Sequence, residues 1–556
     1  MINASNPAEW LPLDHSATIP VPDHPAGILD QPHRPKLAGQ DRPARTALTA
    51  QLQATWLQIL LCALAALPLL WPAMPPLTDL GGHLGRFAVQ IDAAQINGGA
   101  ASLRGWYSFH WHVIPNLGTD LLIQALAPQM GLEPALKAIV VIIVVLQAAG
   151  FLMLARLVHG HVPPTALLAL PLVYSYPFEY GFLNFTLCTA LATWALALWI
   201  HLDQAGLRLR RWLVFVPIAC ALWVCHLSGW ALFCLFAAGV EFGRWRTRDL
   251  SWREVGLRSA LPLSCLLLPS LMFLFGRQVN GAPGVTAGWF DIIDKLGMIV
   301  MALRDRWGIW DVASALALLG MIGWTWFSQR FSRHSGLVLG AMIAAVAFVL
   351  VPKHVNGTSF VDMRLVPMIL AVALLAVRPR QAYPRMAHTL AVAALVFVGA
   401  RFAGNAVSMV LYDRQFAQDL TVLNSMPRDA QLVSLTVKPC LSGDPWARER
   451  RTHLAGYALA RRHDYANDQW FAEGGQLLRV HNPAMGTFIG DPSQTTYTTA
   501  CRGKPGVDEI VARVPQAVPY LWLIEDGVAR YYPGWAPIRK SPGSVLYGRA
   551  SSADLR

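Results

Sequence analysis

Long apolar runs separated by short polar connections fill residues 54–403. The runs 54–74, 134–158, 164–177, 184–202, 211–227, 229–242, 257–276, 308–327, 336–352, 365–377 and 386–403 each approach the roughly 20 apolar residues that a helix needs to cross a bilayer core. Eleven such runs predict an all-α polytopic membrane domain over 54–403, with a first outer loop at 75–133. The runs 164–177, 229–242 and 365–377 are short, so tilted, broken or neighbour-buried helices are expected there. From Phe402 the pattern changes. A helical stretch near Arg414–Leu423 precedes strand-like runs at Ala430–Val437, Tyr520–Ile524 and Val545–Tyr547. These predict a small extracytoplasmic α/β domain over 404–556. At the other end, Pro7, Pro12, Pro20, Pro22, Pro25, Pro32, Pro35 and Pro43 punctuate a stretch with no apolar run. It predicts a disordered cytoplasmic tail over 1–53 rather than a cleavable signal. No internal repeat is visible.

Composition sharpens this picture. The chain is 54% hydrophobic and only 14% charged, against about one quarter charged for a soluble domain. Its formal charge of +12 is not gathered on one basic face, which excludes a nucleic-acid binder. The excess lies in alternate connections: Arg34, Lys36, Arg42 and Arg45; Arg156; Arg208, Arg210 and Arg211; Arg244, Arg246, Arg248, Arg253 and Arg258; Arg330 and Arg333; Arg378, Arg380 and Arg385. The intervening segments Phe178–Asn184 and His226–Gly229 carry no Lys or Arg. The positive-inside rule therefore puts the N-terminus in the cytoplasm and the C-terminus outside. Six of the cysteines lie in apolar runs and read as small buried hydrophobes. Cys440 and Cys501 fall in the outer domain, where an oxidising compartment allows them to pair.

Candidate chemistry collects on the outer side. After the first span, Pro75 and Pro76 end the helix and Thr78 is a plausible N-cap for another. On that helix Asp79, His83, Arg86 and Gln90 share one face, and Leu80, Leu84, Phe87 and Ile91 form the neighbouring apolar stripe. The pattern predicts an amphipathic helix lying at the membrane surface. Gly81, Gly82 and Gly85 are poor helix formers, so some other group is expected to come close to the backbone. Trp106, His110 and His112 suit carbohydrate stacking and equally suit an aromatic belt at the lipid interface. With His83, the two other histidines lack the spacing of a zinc site. Glu179 stands in an otherwise uncharged run, which predicts that it turns into a cavity. His226, Lys353, Asp362 and Arg364 follow on the same side, with Arg277 in a further outer loop. Asp362 and Arg364 either pair with each other or hold a phosphate.

These residues resemble the GT-C superfamily of membrane glycosyltransferases. The stretch Thr78-Asp79-Leu80-Gly81-Gly82-His83-Leu84-Gly85-Arg86 falls where that superfamily keeps an acid at the start of a surface helix. The run Tyr180-Gly181-Phe182-Leu183-Asn184 is similar to segments of bacterial GT-C-like proteins. The resemblance implies transfer of a sugar from a polyprenyl-phosphate donor to a glycan or lipid acceptor on the outer face of the bacterial inner membrane. By that resemblance Asp79 is the catalytic base, with His83 orienting it, and Arg86, Lys353 and Arg364 hold the donor phosphate. Trp106, His110, His112, Glu179, Tyr180, Asn184, His226 and Asp362 then contact substrate. Many members carry paired acids, the version to which a divalent metal such as Mg or Mn would belong. Here Asp79 stands without such a partner, Asp92 following thirteen positions later, and no metal ligand is assigned. Two other classes remain in view: a transporter or flippase for a lipid-linked or anionic substrate, working through Glu179, His226 and the arginines, and a non-catalytic envelope assembly protein.

Overall fold

The computed structural model describes residues 47–556 apart from 93–102, 247, 249, 272–285, 356–357, 442–444, 448, 471–475, 490–493, 502, 525–526 and 551–556. The tail predicted over 1–53 lies outside the described residues as far as residue 46. A helical turn already occupies Ala47–Gln51.

The apolar runs are helical where their sequence permits. They form α1 (Thr55–Leu70), α2 (Leu80–Gln90), α3 (Gly118–Met130), α4 (Leu132–His159), α5 (Tyr176–Tyr180), α6 (Leu183–Gln204), α7 (Arg208–Cys225) and α8 (Leu227–Arg246). Next come α9 (Trp252–Ser264), α10 (Ile292–Val300), α11 (Gly308–Phe327), α12 (Ser335–Leu350), α13 (Val366–Leu375) and α14 (Pro384–Leu420). Among the described residues, α4, α6, α11 and α14 are long and apolar enough to cross a membrane, and α1, α12 and α13 are apolar but shorter. The run 164–177 is not one helix. It breaks into a turn at Pro164–Leu167 and a 3-10 turn at Leu170–Tyr174, because Pro171 offers no N–H to a continuing helix. Outward-facing Ile309, Phe327, Leu261 and Val396 are largely exposed, a belt of bare apolar surface that hydrocarbon, not water, suits.

Helix α6 is the buried centre, packed on α4, α7 and α8. The closest helix crossing is built from glycine. A Cβ at Gly243 of α8 would stand 2.5 Å from the Cα of Gly336 on α12, and Gly239 faces Gly340 one turn on. Small residues let the two backbones touch, which is how helices gain packing energy in lipid.

Helix α14 does not stop at residue 404. It runs unbroken to Leu420 and carries the chain out of the apolar layer, so the sheet domain begins later than the change of composition. Its strands are β2 (Gln431–Lys438), β3 (Tyr465–Ala466), β5 (Thr495–Tyr497), β6 (Tyr520–Ile524), β7 (Trp535–Lys540) and β8 (Ser544–Arg549). Strand β2 is central. It pairs in parallel with β6 on one side, and on the other with β3 at its start and β5 at its end. Strands β8 and β7 extend the β6 edge antiparallel. A separate two-stranded ribbon ties the loop after α1 to this domain. In that ribbon β1 (Tyr107–Phe109) pairs antiparallel with β4 (Leu478–Val480). Cys440 and Cys501 are bonded, with Cα atoms 5.8 Å apart.

A buried charge network locks the sheet domain to the helices. Arg450 reaches Glu179 at 2.7 Å and Asp305 at 2.5 Å, and donates to the Pro76 carbonyl at 2.8 Å. Asn405 of α14 donates to Glu179 at 3.0 Å, and Ser408 donates to Asp305 at 2.8 Å. Arg401 pairs with Asp311 at 2.8 Å, and the Trp446 indole donates to the same carboxylate at 2.9 Å.

Candidate active site

Helix α2 is not a solvated surface helix. Apart from His83 its residues are buried, because the outer domain lies directly on it. The glycines explain how. Gly81 meets the backbone of His453 and Gly456, a Cβ at Gly82 would fall 2.5 Å from the Trp470 ring, and one at Gly85 2.5 Å from the Gln469 amide. The expected close approach is made by the outer domain's own backbone, through the N-terminal end of α15 (Gly456–Arg462).

Asp79, not Thr78, is the residue preceding the helix, and its side chain makes no capping hydrogen bond. Its N–H donates to the Tyr180 carbonyl at 2.9 Å, while Thr78 N–H donates to the Glu179 carbonyl at 3.3 Å. Gly181, at φ 97°, lies against the Asp79 backbone. This pairing presents the Asp79 carboxylate, partly exposed, toward His453, whose Nε2 lies 3.8 Å from Oδ1. The charge of Asp79 also acts on Arg364. Arg364 sits over the Phe182 ring at 4.6 Å. Its Nε is buried without a hydrogen-bond partner.

Aromatic rings frame this pair. Tyr180 packs on Phe182 and Phe360 with centroids 4.7 and 5.5 Å apart. On the opposite side Trp470 lies 4.6 Å from His453 and 5.4 Å from His83. The His83 Nε2 is 3.2 Å from the Gly181 carbonyl. Burial and the adjacent Arg86 hold its imidazole neutral, well below its usual range. Burial likewise pushes His453 down to about 4. Behind Arg364, a cavity between α4, α6 and α13 is lined by Gln147, Ser175, Thr186 and Thr189. It shares Phe151, Thr189 and Met368 with a second small, mostly apolar crevice lined by Thr193, Leu196, Leu232 and Leu375.

Several expected site residues are engaged elsewhere. Arg86 forms a two-point pair with Asp120, at 2.5 and 3.2 Å, so its charge is already matched. Asn184 accepts from Thr119 and donates to Asn116, anchoring the start of α3 to α6. Glu179 does not face a cavity but lies against Arg450. Asp362 pairs with Lys295 at 3.4 Å rather than with Arg364, and Lys353 pairs with Asp294. His226 feels the charge of Arg364 and accepts the Ser228 N–H. Trp106 packs edge-on against Tyr465, and His110 donates its N–H to Leu477 as part of the ribbon to the outer domain. His112 is exposed at the ribbon's end. Arg277 lies outside the described residues. His453, Gln469 and Trp470 had no signal in a single sequence, because nothing in their local pattern says they fold onto a helix about 370 residues earlier.

The cluster does not fit a divalent metal. Asp79 offers one carboxylate with a cation beside it, and no three His, Cys, Asp or Glu side chains converge among the described residues.

No family model matches this sequence, and no curated protein matches it. Among solved structures, the chain is similar to ArnT from Cupriavidus metallidurans bound to undecaprenyl phosphate. The match is 13% identical, spans 90% of this chain and 99% of that one, and has a TM-score of 0.46.

Proposed function

We propose that this chain is a GT-C-like membrane glycosyltransferase. In this reading it moves a sugar from a polyprenyl-phosphate donor to a glycan or lipid acceptor at the outer face of a bacterial inner membrane. The N-terminus is then cytoplasmic and the sheet domain periplasmic. The observation that carries the reading is Arg364, a buried guanidinium whose Nε lacks a partner, facing the partly exposed carboxylate of Asp79. A buried guanidinium nitrogen without a hydrogen-bond partner is costly unless an acceptor fills the site, and a phosphate matches a guanidinium in shape and charge. The small cavity behind Arg364 adds the hydroxyl residues Ser175, Thr186 and Thr189 to an otherwise mostly apolar lining.

The chemistry follows from that placement. An acceptor hydroxyl beside Asp79 loses its proton to the carboxylate as its oxygen bonds to the anomeric carbon. The bond from that carbon to the phosphate oxygen breaks, and the electron pair leaves on the lipid phosphate, whose growing charge Arg364 offsets. A single displacement of this kind inverts the anomeric centre. Glu179, which a transport path would need, is held by Arg450.

The test is sugar transfer in a membrane preparation with polyprenyl-phosphate donors. Asp79→Asn keeps the shape and removes the base, so turnover should fall by about 10²–10⁴-fold while undecaprenyl phosphate still binds. Near-normal transfer by this variant would refute the role of Asp79. Failure of the parent protein to bind undecaprenyl phosphate would refute the donor.

A further inference from the structure

Three groups of the outer domain reach the Asp79 cluster without being used by the donor chemistry. The first is the His453 imidazole. Its Nε2 is 3.8 Å from Asp79 Oδ1, too far for a direct hydrogen bond, yet a hydroxyl oxygen placed beside both atoms would reach each. The second is Trp470, a partly exposed ring flanked by His453 and His83. The third is Gln469, 2% exposed, whose Oε1 has no partner although its Nε2 donates to Asp468. Buried polar atoms in native proteins are nearly always paired, so this lone acceptor, packed against Gly85 on the helix that Asp79 begins, calls for a donor from outside. Both histidines here are neutral, and of the nearby cations Arg86 is matched by Asp120 and Arg364 lies on the donor side. What this wall lacks is hydroxyl hydrogens, and what it presents is a flat aromatic face.

We propose that His453, Gln469 and Trp470 form the acceptor subsite, in which a hydroxyl-rich sugar ring lies against Trp470 and directs one hydroxyl between His453 and Asp79. The subsite rests on the transferase reading above, since it places the attacking hydroxyl at the base. Trp470 supplies the stacking face and Gln469 accepts a second hydroxyl. His453 acts as a positioning residue that holds the reacting hydroxyl against the carboxylate. Gly82 and Gly85 are then the residues that admit this wall, because any side chain there would displace Trp470 or Gln469.

The experiment uses the full chain in lipid nanodiscs and two probes measured separately. Undecaprenyl phosphate reports the donor side. A panel of methyl glycosides of neutral hexoses and of an amino sugar, followed by saturation-transfer NMR with undecaprenyl phosphate present, reports the acceptor side. Trp470→Leu and His453→Gln should each weaken glycoside binding at least tenfold and leave undecaprenyl phosphate binding intact. Arg364→Met should do the reverse. Glycoside binding unchanged in both outer-domain variants, or absent from the parent protein, overturns the subsite while leaving the donor reading standing. Loss of both probes in Trp470→Leu and His453→Gln marks a purely structural role and also overturns it. If undecaprenyl phosphate never binds the parent but glycosides do, and Trp470→Leu abolishes them, the subsite stands and the donor assignment falls.

Discussion

Arg364 feels the charge of Asp79 but leaves its Nε without a hydrogen-bond partner. Asp362, two positions away, pairs with Lys295, and the ring of Phe182 covers one face of the guanidinium. A buried charge without a full set of partners destabilises its fold, and proteins keep such strain where a ligand relieves it. Arg364→Met, close in volume and without the charge, is therefore expected to raise the thermal midpoint by a few degrees while lowering undecaprenyl phosphate affinity about tenfold or more. The loss is the size expected for one charge-assisted hydrogen-bonding partner. Thermal unfolding and lipid binding on the same preparation check both signs. A second residue-scale consequence lies in the outer domain, where burial raises both Asp464 and Asp468 to about 7. The folded state then keeps protons that the unfolded chain releases near pH 4. Stability from these acids is present below pH 4 and is lost as pH rises toward 7. Asp468→Asn should change stability little at pH 4 and should stabilise the protein relative to the parent at pH 8. Melting curves of both proteins across that range measure the difference, and a gap of equal size at both ends would contradict it.

Among the elements, α2 shows how the two parts of the chain are made to touch. Its glycines do not weaken the helix to no purpose. They form a smooth strip onto which the first turn of α15 fits, backbone to backbone, at Gly81 and Gly456. A methyl group at Gly456 would collide with the Gly81 carbonyl, and neither backbone can move aside as a flexible side chain could. Gly456→Ala should therefore lift the outer domain from α2, abolish sugar transfer, and expose the α2–α15 seam to limited proteolysis. Normal transfer and unchanged protease resistance would show that the docking tolerates a wider gap. The Gly239 and Gly243 contact with Gly336 and Gly340 uses the same device within the helical layer. It serves packing there, since only helices meet.

For the whole molecule, the network around Arg450 makes the sheet domain part of the wall around Asp79 rather than an appendage. Arg450, Glu179, Asp305, Arg401 and Asp311 are buried together, and each charge has an opposite neighbour. Removing one partner of such a cluster leaves a buried charge and typically costs about 3–5 kcal/mol. This seam also ties orientation to function: whichever side holds the sheet domain must hold Asp79. Reporter fusions at Gly206 and at the C-terminus test the orientation. A cytoplasmic signal at Gly206 with an external one at the C-terminus is expected. A cytoplasmic C-terminal signal would move the entire site to the other face of the membrane.

Much of this was legible in residue order alone, because hydrophobic period and charge asymmetry are local properties. Most of the apolar runs mark helices, though 164–177 breaks into turns and 257–276 leaves its helix at Ser264. The arginine-rich connections suggest sidedness, and alternating β-prone residues locate β2, β6 and β8. Asp79 stands out because a carboxylate after a membrane span is locally anomalous. What the order of residues does not carry is which charge meets which. Arg86 and Arg364 look alike as cations beside apolar helices, yet Asp120 grips one at two points while the other lies over the Phe182 ring. Asp362 could neutralise Arg364 by proximity in the chain and instead turns to Lys295. Glu179 reads as a pathway acid until Arg450, far along the chain, covers it. The outer domain's His453 and Trp470 come to Asp79 only because glycine backbones on α2 and α15 allow the approach. Charge pairing and close contact depend on three-dimensional distance, so only the tertiary structure decided them.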